Sequence, residues 1–225
     1  LNGSSIINDV TGIINSNPSA SVTISPQFTN NATTGSLNTI TGTTHLNNAG
    51  NTNQGNVNLA AGTILQVNTG DALVLNTGTS FAGSAGTLNI AGGSVNVATA
   101  VDLSGIGMSL NLNTTGQITN VQNLTIPNTF NFDSGTISGP GLFTTPAGST
   151  TTLGNIPIIQ NVSWLSQGAV NWTPANIASF DWTLDAATFT NQGTLTLQNI
   201  STGSTIVNLN GSSIINDVTG IINSN

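Results

Sequence analysis

Lysine, arginine, glutamate, cysteine and tyrosine are all missing from this 225-residue chain, and seven aspartates carry its whole side-chain charge, a formal −7. Each absence excludes something. Without cations the chain cannot neutralise phosphates, which removes the electrostatic term behind nucleic-acid binding and behind attachment to anionic lipid. Without cysteine it has neither disulfides nor thiolate metal sites, which fits an extracellular protein indifferent to redox state. Without lysine and arginine it offers a trypsin-like protease no site. No stretch reaches the roughly eighteen apolar residues of a spanning helix, so membrane insertion by this segment is not expected.

Amides and hydroxyls take the place of charge. Asn, Thr, Ser and Gly provide solubility, while 36% hydrophobic residues with regularly placed Val, Ile and Leu argue for a folded chain rather than a disordered one. The recurring local pattern is apolar, polar, apolar, bounded by Gly, Asn or Ser: Val57-Asn58-Leu59, Leu88-Asn89-Ile90, Val95-Asn96-Val97, Leu110-Asn111-Leu112 and Leu195-Thr196-Leu197. Alternation of period two predicts short strands with one apolar face. Between them, AGG at 91–93, NTGD at 68–71 and STGS at 201–204 supply the positive φ angles of tight corners. Short strands and dense turns predict the rungs of an all-β parallel β-solenoid. A string of antiparallel β-sandwich domains is the competing fold, with longer strands and sparser turns.

The stretch LNGSSIINDVTGIINSN at residues 1–17 recurs unchanged at residues 209–225, an offset of 208. An identical match of that length is a true repeat, and self-similarity at a fixed period marks stacked architectures. The expected organisation is one full repeat over residues 1–208 and the start of the next over 209–225. Leu1 and Asn17, with Leu209 and Asn225, bound the two copies of the junction. The chain reads as a window on a longer tandem array, since it begins without Met and carries no signal peptide. A looser period lies inside the first: Phe28, Phe81, Phe130 and Phe189 each precede a polar stretch and a Gly-Ser/Thr-Leu/Ile triplet. They suggest sub-blocks near 28–80, 81–129, 130–188 and 189–208, each Phe stacking in the core. At roughly 20 residues per rung, one repeat makes about ten rungs and advances on the order of 50 Å at about 4.8 Å per strand.

Residues able to carry chemistry are few. The aspartates are Asp9, Asp71, Asp102, Asp133, Asp181, Asp185 and Asp217. Only Asp181 and Asp185 are close in sequence, and on a strand they would lie about 13 Å apart, too far for a glycosidase pair. The Gly-Gly-x-Gly-x-Asp calcium pattern is absent, although Asp133 could help backbone carbonyls ligate an ion. His45, the single histidine, has Thr43, Thr44, Leu46 and Asn47 as neighbours and no visible catalytic or metal-binding partner. No catalytic set, metal site or cofactor is expected. Trp164, Trp172 and Trp182 fall together in a segment that breaks the strand rhythm. Exposed, they could stack on sugar rings or make lateral contacts between filaments; buried, they fill a wider rung.

The blocks FTNQGTLTLQN and FAGSAGTLNIAGGSVNV resemble the strand repeats of large secreted bacterial β-helix proteins, similar to filamentous haemagglutinins and autotransporter passenger regions. The resemblance implies a right-handed parallel β-helix, export to the cell surface and adhesive or structural work, and it carries over no catalytic residue. Two functions follow as expectations. One is a structural repeat of an extracellular filament, stalk or sheath, whose partners are the next repeat and neighbouring filaments. The other is a multivalent adhesin that binds glycans or neighbouring cells through repeated weak sites.

Overall fold

The computed structural model describes residues 4–31, 34–81, 83–174, 181–198 and 205–224. Among them are 27 strands and no helix, and every strand ladder is parallel. That excludes the antiparallel sandwich and leaves the parallel solenoid.

The strands stack in three columns, which we call faces A, B and C in the order the chain visits them. Face A begins with Ser5–Asn8 and continues through Gln27–Asn30, Asn51–Asn53, Ala72–Leu75, Ser94–Val97 and Gln117–Asn120 to Thr205–Leu209. Face B begins with Ile13–Ser16, Ser36–Thr39 and Asn56–Leu59, and resumes at Val101–Asp102 to reach Ser213–Asn216. Between those two runs, Ser80 alone bridges to Asn56. Face C runs from Ser21–Ile24 and Thr43–Leu46 through Ile64–Asn68 to Ala169–Trp172, Thr194–Leu197 and Ile221–Ser224. Successive strands of face C start between 19 and 27 residues apart, slightly more than the expected rung.

Two strands do not stop at a corner. Thr129–Ser138 and Thr150–Gln160 each run from face C into face A, with an irregularity between Phe132 and Ser134 where the strand bends. Elsewhere left-handed residues turn the chain: Gly70 and Gly92, at φ of 87° and 85°, occupy the NTGD and AGG corners read from the sequence. The STGS corner lies outside the described residues.

Alternation decides what goes inside. On face C the inward column Leu65, Leu88, Leu110, Phe130 is buried, as is Leu46, Val67, Ile90, Leu112, Phe132, Leu153, Trp172 beside it. Each fully buried side chain of this size is worth about 1.5–3 kcal/mol relative to exposure. Aliphatic residues fill the middle of the core and aromatic ones its upper part. There Phe143, Trp164 and Phe189 occupy consecutive levels of face B, with ring centroids 5.2 and 5.1 Å apart in edge-to-face geometry.

Candidate functional surface

Among the described residues, outward positions form polar ladders. On face C the outward column is Thr23, His45, Gln66, Asn89, Asn111, Asn131, and Asn131 donates to Asn111 at 2.8 Å. On face B, Asn58 donates to Asn38 and Asn38 to Asn15, both at 2.8 Å. Amides one strand spacing apart satisfy each other without any charge, which is how a chain lacking cations keeps its polar groups paired.

A second ladder is buried. At the corner from face A to face B, Asn8 donates to Asn30 at 2.9 Å, Asn30 to Asn53 at 2.8 Å, and Asn53 to the Gly55 carbonyl at 2.8 Å. Asn30 is fully enclosed. At the corner from face B to face C, Asn191 donates to Asn216 at 2.8 Å and to the Ile221 carbonyl at 3.0 Å. Alternation in the sequence gives each strand one apolar face but does not show which amides turn inward. The available signal is an Asn closing successive strands at 8, 30 and 53, one rung apart.

The two ends are the apolar surfaces of the molecule. Among the described residues, eleven of the fifteen exposed large aliphatic side chains lie within the first 22 or last 17 positions, so exposure is concentrated on the end rungs and not along the sides. At the lower end the core opens in a cavity of about 420 Å³ lined by Ile6, Ile14, Val22 and Ile24, with Asn15, Ser16, Asn17 and Pro18 on its rim.

The three tryptophans face the core: Trp164 and Trp172 are 1% exposed and Trp182 fully buried. Rings so placed are not available for sugar stacking or for lateral contacts; they pack in the core. Trp164 donates to Thr145 at 2.8 Å and Trp172 to the Gly154 carbonyl at 3.1 Å. Phe28, Phe81, Phe130 and Phe189 are all buried, but they stand on face A, beside the Ser80 bridge, on face C and on face B respectively. All four therefore lie in the core, on different faces of the solenoid. Of the junction markers, Asn17 accepts from Thr41 at 2.7 Å and Leu209 is exposed at a strand end. Leu1 and Asn225 lie outside the described residues.

The carboxylates serve the scaffold. Asp185 accepts from Gln160 at 2.9 Å and also from Asn210, and Asp181 shares its strand. Asp133 accepts from Asn155 at 2.9 Å and Asp102 from the Ser104 backbone at 2.9 Å. Asp217 accepts from Gln192 at 2.8 Å and from the Val218 backbone at 2.7 Å, and these bonds hold its carboxyl below the usual range. Asp9 caps the same corner in the other copy, accepting from Val10 at 2.9 Å. Asp71, 7% exposed, is pushed upward by burial, against weaker opposing effects from the Asn68 backbone and His45. His45 sits on the outward ladder of face C, 3.1 Å from the Asn68 amide. Among the described residues no three His, Cys, Asp or Glu side chains come together as a metal site would require.

No protein family matches the sequence, and no curated protein matches it significantly. A weak match among solved structures is the TibC-catalysed hyperglycosylated fragment 55–350 of TibA, at 14% identity and a TM-score of 0.28, covering 99% of this chain and 92% of that one.

Proposed function

We propose that the chain is a non-catalytic structural repeat of a long extracellular or cell-surface fibre, stalk or sheath, in which copies stack end to end as one continuous solenoid. One observation carries the reading: residues 5–16 and their identical copy at 213–224 form strands on the first and last levels of the parallel solenoid, and both levels leave apolar side chains open. Parallel strand edges are templates for further strands, and a solenoid gains its core only from stacked neighbours. Ladders of paired amides along the outer faces suit a scaffold.

The test is cryo-electron microscopy of the native full-length material. A continuous rod with about 4.8 Å between rungs is expected. Beads separated by hinges would sink the proposal in favour of tandem adhesive modules, and saturable binding in a glycan titration would then identify their ligand.

A further inference from the structure

The two copies of the seventeen-residue segment do not lie on the same faces. In the first copy, Ser5–Asn8 lies on face A and Ile13–Ser16 on face B. In the second, the same residues, Ser213–Asn216 and Ile221–Ser224, lie on faces B and C. Each copy nevertheless keeps its own local fold. Asn8 donates to the Gly12 carbonyl at 2.9 Å and Asn216 to the Gly220 carbonyl at 2.9 Å; the Gly12 N–H reaches the Asp9 carbonyl at 2.6 Å and the Gly220 N–H the Asp217 carbonyl at 2.8 Å. The corner follows the sequence and is indifferent to which face it joins.

From Ser5–Asn8, face A is revisited nine times up to Thr205–Leu209, and Ser213–Asn216 lies one face beyond. We infer that consecutive repeats are related by nine and one third turns, so each copy starts one face further round the axis and only every third copy presents the same residues on the same side. The inference rests on the stacked-fibre reading and specifies its joint.

What covers each open end is visible at the other. Ile214 and Ile222, the counterparts of Ile6 and Ile14, sit directly above Phe189 and Leu195. Ile6 and Ile14 themselves sit below Phe28 and Leu37. Merging the two copies into one rung gives core columns Phe189–Ile6–Phe28 and Leu195–Ile14–Leu37, and fills the lower cavity with the side chains already seated under its twin. The buried amides join in the same way. Asn191 donates upward to the position of Asn8, which donates upward to Asn30 and then to Asn53, with one polarity throughout. A repeat of whole turns would need the segment back on face A, where Thr205–Leu209 already stands at that level.

The consequence is mechanical. One repeat rises about 45 Å and three repeats, 28 strand levels, about 134 Å at about 4.8 Å per strand. Any bend favoured by the aromatic half of the repeat points about 120° further round in each copy and cancels over three, so the rod is straight and no side of it is special.

The test is a chain of six tandem copies of residues 1–208 carrying Ala147→Cys in each, together with the same chain unsubstituted. Ala147 is exposed in a turn, and no native cysteine competes for the label. Thiol-linked gold imaged on vitrified rods should fall at intervals of about 45 Å on three lines 120° apart. Labels along a single line of a continuous rod would overturn the one-third turn and leave the fibre reading standing. Hinged beads, or an unsubstituted chain that does not fold, would overturn the joint and the fibre reading together.

Discussion

Replacing Trp164 separates a core role from a surface role. The ring stands 5.2 Å from Phe143, 5.1 Å from Phe189 and 6.5 Å from Trp182, and its indole N–H is bonded to the buried Thr145 hydroxyl. Truncating a buried Trp to Ala costs about 3–5 kcal/mol in lost transfer energy and residual cavity. Leaving Thr145 without its donor adds about 1 kcal/mol or more. For a chain of this length each kcal/mol moves Tm by about 2–4 °C, so Trp164→Ala should melt roughly 10–20 °C below the parent. Trp164→Phe keeps the edge-to-face contacts and loses mainly the hydrogen bond, about 1–2 kcal/mol. Thermal melts followed by circular dichroism measure both. Hydrogen exchange should show the loss centred on strands 142–145, 163–166 and 188–191, since a solenoid level leans only on its neighbours. If Trp164→Ala melts within about 2 °C of the parent, the ring is not a core residue, and the tryptophan contact surface returns as the better account.

Three further outcomes are expected. Asn30→Asp places a carboxylate where Asn8 and Asn53 require an amide; because burial raises its folded pKa, stability should fall as pH rises above about 4, read as a Tm that drops between pH 3 and 7 while the parent changes less. Gln192→Ala removes the main bond to the Asp217 carboxylate. Its carboxyl should then titrate closer to the ordinary range by NMR, and the stability it confers above that range, lost on acidification through its lowered pKa, should shrink. Gly193→Ala sets a Cβ 2.0 Å from the Gly168 carbonyl oxygen, whereas Gly62→Ala meets nothing within 4 Å and bears only its φ of 77°. The first should prevent native melting behaviour and the second should cost about 1–2 kcal/mol in a denaturant titration.

Much of this molecule was legible in its sequence. Val57-Asn58-Leu59, Leu88-Asn89-Ile90 and Leu110-Asn111-Leu112 became strands with apolar residues inward and amides outward, because alternation is a local property of residues two apart. The corners at Gly70 and Gly92 were equally local. The fate of the tryptophans was not, since a Trp at one strand position looks the same whether the adjoining rung offers Phe143 and Phe189 or water. The faces on which Phe28, Phe81, Phe130 and Phe189 stand were not legible for a related reason: their spacing is not a whole number of rungs, so similar-looking residues landed in the core on different faces. The seventeen-residue repeat and its 208-residue period belong to the sequence alone. Where those residues return around the axis was decided by the tertiary structure, because azimuth accumulates over every corner between the copies, and rungs of 19 to 27 residues make that total unreadable until each strand has found the one beneath it.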